Sequence, residues 1–479
     1  MLMTRPFVTL VLVLSAGVWL SEPALAQLPE QSDAETLFAD DGANLDRFGI
    51  ALAIDGDVAV VGAFADDDGA VGAGSAYVFR RIGGVWLQEQ KLTAFDGGFD
   101  DQFGFYVAVH GDVIAVTARN VPAVYMFRYD GATWVQEQKL NNSGSAYGSA
   151  LAVYEDVLVV GDFLHDFTQG GAYVYEFSGT SWSQTQLLSP SGALLFGISL
   201  DLEGDTLVIG ASAENQGIGA AYVYARNGGT FNLQQVLAAS DPSTFTGFGA
   251  SVALDGSALC VAAVGANDDA GALYVFRNDG VTWTEQQKIS LATPPPAGGL
   301  GLVLDLCEPH LVAGSYGGIG CDEATQSYIF TEVGGTWVES RELVAPSTES
   351  ANSMSRALAI DGEEVWVGAS CIGPGSPGPG GVYIYDLNPS FIRGDCNQDE
   401  LVDISDAIEA LSRLFVIADA VVCEDACDFN DDGQFDVADP VATILFLFFG
   451  SVPIPAPGSI CGGDPTTDAL FCRSLPTCP

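Results

Sequence analysis

A chain of 479 residues, 48% of them hydrophobic, is long enough for two or more domains and too apolar to be disordered. Its 62 acidic residues against 16 basic ones give a formal net charge of −46, a field that repels nucleic acid and anionic membrane surfaces and suits a surface able to hold calcium. The ten cysteines are unevenly spread, with Cys260, Cys307, Cys321 and Cys371 in the long first part and six between Cys396 and Cys478, the density of a small domain that needs staples. Those six allow 15 connectivities, and the sequence does not choose among them.

At the N-terminus, Arg5 is followed by the apolar run 7–20 and by Ala24-Leu25-Ala26, a small-x-small cleavage pattern. Residues 1–26 therefore read as a signal peptide, with the mature chain starting near Gln27. The run is shorter than the roughly 20 residues needed to span a bilayer. The segment 441–449, bounded by Pro440 and Gly450, fits a short core helix. The expected location is secreted, extracellular or cell-surface, with no membrane insertion.

From residue 27 to 388 one unit repeats: F-G-x-x-L-A-I-D-G-D-V-A-V-V-G-A, a loop, G-x-A-Y-V-F, then G-x-x-W-x-Q-x-Q-K-L. The aromatic opening the last run recurs at Trp86, Trp134, Trp182, Phe231, Trp283 and Trp337, spaced by 48, 48, 49, 52 and 54. The unit starts at Phe48-Gly49, Phe103-Gly104, Tyr147-Gly148, Phe196-Gly197 and Phe248-Gly249, and in weaker form at Leu300-Gly301 and Met354-Ser355. That makes seven units. Each holds four runs rich in β-branched and aromatic residues, separated by Asp-Gly or Gly-Gly pairs that supply the positive φ of tight hairpins. Radial repetition of four antiparallel strands predicts an all-β, seven-bladed β-propeller, and the period-2 alternation excludes a helical solenoid.

The seventh unit stops at Leu387-Asn388 without its last strand, whereas residues 35–42 match 91–97. An N-terminal strand over 35–39 is thus expected to pair with 381–386 and close the last blade, removing an open sheet edge. Cys321 and Cys371 follow the second strands of neighbouring units and are expected to approach each other.

These units resemble FG-GAP repeats, the blades of integrin α-subunit propellers and of many bacterial exported proteins. The resemblance implies binding of another macromolecule through loops on one face. The D-x-D-x-D-G-x-x-D loop often found in those blades is replaced here by short turns such as Asp55-Gly56-Asp57, so no calcium is assigned to the propeller. The acidic runs Asp66-Asp67-Asp68 and Asp268-Asp269 lack alternating spacing and read as solvated loops.

Residues 389–450 carry a different motif twice. The first copy places oxygens at Asp395, Asn397, Asp399, Asp403 and Asp406, with the Leu401 carbonyl at position 7; the second at Asp428, Asn430, Asp432, Asp436 and Asp439, with the Gln434 carbonyl. Loop positions 1, 3, 5, 7, 9 and 12 are those an EF-hand loop uses around one calcium ion, so two calcium sites are expected. Gly433 stands at position 6 of the second loop, but Glu400 stands there in the first, the weaker site. Helices are expected over 407–415 and 441–449, the latter with Pro440 at its first position. A small α-helical domain of loop plus one helix, duplicated, resembles the type I dockerin, and the resemblance implies a cohesin-like partner or a purely structural calcium module. Positions 10 and 11, Ile404-Ser405 and Val437-Ala438, are not the Ser-Thr pair of cellulosome dockerins. Residues 451–479 form a Pro- and Cys-rich tail, whose Cys461, Cys472 and Cys478 are expected to fasten it back.

No nucleophile elbow, zinc motif or phosphate loop occurs, and the three histidines pair with nothing in sequence. The expected function is non-enzymatic: a secreted, monomeric, calcium-binding adhesion or scaffold protein that recognises an extracellular protein or polysaccharide. The alternative is an accessory protein or enzyme of extracellular polysaccharide degradation.

Overall fold

The computed structural model describes residues 34–293, 295, 298–315, 326–343, 357–372, 378–387, 392–397, 401–415, 423–450 and 453–457. The expected signal peptide, Met354-Ser355, Cys321, Asp399 and the three tail cysteines lie outside them. Seven four-stranded antiparallel sheets follow one another along the chain. Blade 2 shows the plan, with Phe103–His110, Val113–Ala118, Ala123–Tyr129 and Trp134–Asn141 pairing in that order. The first strand of each blade touches the first strand of the next, and that of blade 7, Leu358–Asp361, touches that of blade 1, Ala51–Asp55. The seven first strands therefore ring an axis.

The ring closes as the sequence requires. Glu35–Leu37 pairs antiparallel with Gly381–Asp386, with Thr36 opposite Tyr383, and so supplies the outer strand of blade 7. The seam to blade 1 is sealed by the Trp86 and Trp366 rings, 4.9 Å apart and edge to face, and by the Trp86 indole N–H donating to Glu364 at 2.9 Å.

Period-2 alternation holds only in part. Outer strands such as Trp134–Asn141 alternate, but second strands such as Val58–Ala63 and Val113–Ala118 are buried along their whole length. Each second strand lies between two neighbouring blades, so both of its faces are core and an unbroken apolar run is the pattern burial demands.

The F-G pair is a blade-to-blade device. Phe48, Phe103, Phe196 and Phe248 are fully buried. Gly104, at φ +90°, lets the Ser75 carbonyl of blade 1 come so close that a Cβ would lie 2.0 Å from it. Parallel bridges Gly74–Phe103, Gly170–Phe196, Gly219–Phe248, Gly271–Leu300 and, across the closure, Phe48–Gly380 join the third strand of one blade to the next blade's first.

The outer rim has its own lock. Gln138 donates through Nε2 to the Trp182 carbonyl at 2.9 Å and accepts the Trp182 N–H at 2.7 Å. The same two-way bond joins Gln90 to Trp134, Gln186 to Phe231, Gln235 to Trp283 and Gln287 to Trp337. Blade 6 has Arg341 in the glutamine's place, and the outer strand it faces in blade 7 has no tryptophan. Arg341 lies over the Tyr385 ring instead, at 5.7 Å.

The acidic run 66–68 is not simply solvated, contrary to the expectation. Asp66 is 2% exposed and, with Asp41 and Asp68, surrounds the Lys91 ammonium at 2.7–2.8 Å, while the Tyr77 hydroxyl donates to Asp66 and Asp41. The lysine of the outer strand reaches back over its own blade and neutralises the loop. Lys139 with Asp96 and Tyr125, and Lys288 with Asp241 and Tyr274, repeat the arrangement.

Beyond the propeller, the helices Ile404–Phe415 and Ala438–Phe449 pack together. Both begin three residues earlier than expected, and Pro440 stands at the third helical position instead of the first. The cause is a reciprocal cap: the Asp436 carboxylate accepts the Ala438 N–H at 2.6 Å and Asp439 accepts the Asp436 N–H at 2.7 Å. Asp403 and Asp406 repeat it, accepting from Ser405 and Asp403, both at 2.7 Å. Among the described residues no helix is long and apolar enough to cross a membrane.

Candidate functional site

Two regions concentrate chemistry. The first is the pair of acidic loops. In the second loop Asp428 and Asp439 are fully buried, and Gly433 has the positive φ, 75°, that position 6 requires. The Asp428 carboxylate accepts the N–H groups of Asp431, Asp432 and Gly433, so the loop is wound around it. Asp439 accepts the Asn430 N–H at 3.3 Å and the Asp436 N–H at 2.7 Å; in the first loop Asp406 accepts from Asn397 at 3.2 Å and from Asp403 at 2.7 Å. The two loops therefore share the contacts that positions 3 and 9 make with position 12. Asp395 and Asp406 are buried as well, whereas Leu401 is 61% exposed.

Desolvation, with the facing Asp428 carboxylate, holds the Asp439 carboxyl well above the usual carboxylate range. The buried Asn430 Oδ1 has no hydrogen-bond partner. An orphaned amide oxygen beside two crowded, buried carboxylates fits a cation that would accept all three as ligands. Among the described residues no three His, Cys, Asp or Glu side chains are gathered tightly enough to hold a metal by themselves, and Asp432 and Asp436 accept backbone N–H groups from Gln434 and Ala438.

Two features of this region escaped the sequence. The Cys396–Cys427 disulfide ties position 2 of the first loop to the residue before the second loop. Arg393, 0% exposed, donates to the carbonyls of Ala456 at 2.7 Å, Asp428 at 2.8 Å and Asp425 at 3.2 Å, and pairs with Asp431 at 3.1 Å. It clamps the proline-rich arm onto the second loop. Its only sequence signal is a lone basic residue beside an acidic motif.

The second region is a cavity of about 600 Å³ at one end of the propeller axis. It is lined where first strands begin and second strands end, by Phe64 of blade 1, Phe105, Tyr106 and Arg119 of blade 2, 145–149 and Phe163 of blade 3, Leu302 of blade 6 and Ser370 of blade 7. The hairpin turns lie at the opposite end of the axis. There Asp201 and Asp305 accept the Leu254 and Ile360 N–H groups of the adjacent blade, each at 2.8 Å. Burial raises these two carboxyls to about 6 and about 7.

The histidines serve structure. His165 bonds the Tyr173 hydroxyl and His110 stacks on Tyr154. His310 lies 3.1 Å from Thr331 and 3.6 Å from Glu363, a nucleophile-base-acid order, but Thr331 is 4% exposed and its hydroxyl donates to Ser340, so no substrate reaches it. Cys371 is disulfide-bonded, with its partner outside the described residues; Cys260 and Cys307 are free.

The FG-GAP repeat family model matches residues 32–79, 86–126, 182–224 and 231–276. The propeller carries FG-GAP repeats. Each long match runs from an outer strand to the third strand of the following blade, so the family unit straddles the F-G seam that joins blades. FG-GAP propellers are typically not catalytic. No curated protein matches the chain. A solved structure from Bacteroides uniformis, provisionally described as a 6-phosphogluconolactonase, is similar over 62% of this chain and 85% of that one, at 13% identity and a TM-score of 0.45. A likeness at that level has no bearing on activity.

Proposed function

We propose that this is an exported, non-catalytic recognition protein whose FG-GAP propeller holds an extracellular macromolecule at the cavity end of its axis. The observation that carries the reading is the cavity itself, an opening walled by aromatic and small side chains from five blades of a closed scaffold. Retention of components of the native extracellular fraction on immobilised protein tests it, with Leu302→Trp, which fills the cavity, as comparison. Loss of retention in that variant is expected, and equal retention rejects the reading.

The C-terminal domain is proposed to bind two calcium ions, one per loop. Asp428, Asn430, Asp432, Asp436 and Asp439 side-chain oxygens and the Gln434 carbonyl would hold one; Asp395, Asn397, Asp399, Asp403, Asp406 and the Leu401 carbonyl the other. Bound calcium supplies the positive charge that lets these carboxylates stay buried and ionised. Docking is supported by the exposed apolar positions Ile404, Ile408, Val441, Leu445 and Phe448 on the two helices. Export and the cohesin-like class of partner rest on the leader pattern and the dockerin resemblance.

A further inference from the structure

We propose that the axial cavity is selective for a sugar ring bearing an anionic group, a carboxylate or a sulfate ester, with Arg119 as its specificity-determining residue. The inference rests on the recognition reading above and adds the chemistry of the ligand.

Arg119 stands at the cavity rim directly after the second strand of blade 2. The corresponding residues in the other blades are Phe64, Phe163, Ser212, Val264, Ser315 and Ser370, so only one of seven equivalent positions carries a charge. Acidic residues outnumber basic ones 62 to 16 in this chain, yet among the described residues Arg119 has no carboxylate partner; its guanidinium lies 4.4 Å over the Phe105 ring. That placement leaves the N–H edge of the fork unbonded and open to the cavity, the geometry that receives a carboxylate or sulfate in two parallel bonds. Arg47, the other cation of the lining, contacts Cys371 Sγ and is held at the wall.

The rest of the lining suits a sugar. Phe64 and Phe105 ring centroids are 5.3 Å apart and Phe105 and Tyr106 5.0 Å, an aromatic cluster that offers apolar contact to a pyranose. Ser145 and Ser370 also line the cavity, and among the described residues their hydroxyls have no hydrogen-bond partner, which leaves them available to ring hydroxyls. Asp162, the chain neighbour of the lining residue Phe163, is fully buried, lies outside the lining and accepts the Ala146 N–H. The net charge of −46 opposes any polyanion at long range, so binding of an acidic glycan has to come from a local cation of this kind.

The test uses the full chain in calcium-containing buffer at physiological salt, titrated calorimetrically with oligogalacturonate, a sulfated galactan oligosaccharide and a neutral galactan oligosaccharide of equal length. Binding of one or both acidic probes at least tenfold tighter than the neutral one is expected, and the preferred probe identifies the anionic group. Arg119→Gln should erase that preference, while Asp205→Asn, at the hairpin end, should leave it intact; tryptophan-monitored melting verifies that each variant is folded. Equal binding of neutral and acidic probes, or an undiminished preference in Arg119→Gln, overturns the proposal while the recognition reading stands. If no probe binds but the protein still retains a component of the extracellular fraction through the cavity, the sugar assignment falls alone; if Leu302→Trp retains as much as the parent protein, the recognition reading falls with it.

Discussion

The rim glutamines are the residues whose role is most sharply defined. Each makes two hydrogen bonds to one backbone residue of the next blade, as Gln138 does to Trp182. Gln138→Ala leaves a part-buried N–H and carbonyl unpaired, at a cost of about 1–3 kcal/mol. A lowered melting temperature with unchanged secondary structure is expected, and an unchanged one would show that water replaces the amide. Asp305 gives a pH-dependent counterpart. Its carboxyl titrates near 7 in the folded protein against 3.8 when unperturbed, so between those values the folded state holds a proton that the unfolded chain releases. Stability contributed by the protonated form is present at low pH and is lost as pH rises from about 4 to 7. Asn cannot titrate, so the stability of Asp305→Asn should fall less steeply than that of the parent protein over this interval. Parallel pH profiles of the two would remove the prediction.

At the scale of elements, the F-G seam and the closing strand make opposite demands on the chain. Gly104 cannot accept a side chain: its φ is +90° and the Ser75 carbonyl already occupies the space a Cβ would need. Gly104→Ala should cost about 3 kcal/mol or more, because strain and separation of blades 1 and 2 add. Gly111→Ala is the control, since that hairpin glycine also has positive φ but meets nothing within 4 Å, and it should cost less. The closing strand is only Glu35–Leu37, yet it covers the edge of Gly381–Asp386. Removing residues 27–38 should destabilise blade 7 and expose a flat edge that recruits a second copy. Size-exclusion chromatography of the truncated protein should show oligomers; a monomer of unchanged melting temperature would mean that blade 7 holds without its outer strand. The seven-unit count, the third strands and this closure were all legible because each is written in the repeat pattern: turn glycines, aromatic runs, and one strand missing at one end with a match at the other. The helix starts at Ile404 and Ala438 were misplaced because loop positions 9 and 12 double as a cap, an overlap that spacing alone does not reveal.

At the scale of the molecule, the propeller and the C-terminal domain should respond differently to chelation. The duplicated loops crowd carboxylates that are buried and close together, whereas the propeller neutralises its inner acidic loops with Lys91, Lys139 and Lys288. Removing calcium should therefore melt the helices and leave the tryptophan transition of the blades in place, since Trp86, Trp134, Trp182, Trp283, Trp337 and Trp366 all belong to the propeller. The Cys396–Cys427 bridge, closing a loop with a separation of 31, should add about 3–4 kcal/mol to the domain, so reduction should sharpen its dependence on calcium. Helical signal that survives both chelator and reductant would sink the calcium reading.

What the sequence determined by itself is what local chemistry encodes: seven four-stranded units, their turns, the closing strand, and two loops with oxygens in register. The turns, strands and loop oxygens are encoded within a dozen residues, where periodicity and φ preference act directly, and the repeat count and closing strand follow from comparing those local patterns along the chain. Only the tertiary structure decided which repeat positions meet. It placed Arg119 beside an aromatic wall from two blades, brought Gln138 to the backbone of Trp182, and wrapped Arg393 in carbonyls from 425, 428 and 456. In each case the partner is 14 to 63 residues away, and the contact exists because strands pair within a blade, because neighbouring blades abut, or because the tail folds back. Residue type can tell that a buried arginine or a rim glutamine needs partners, but the geometry of the closed ring chooses them.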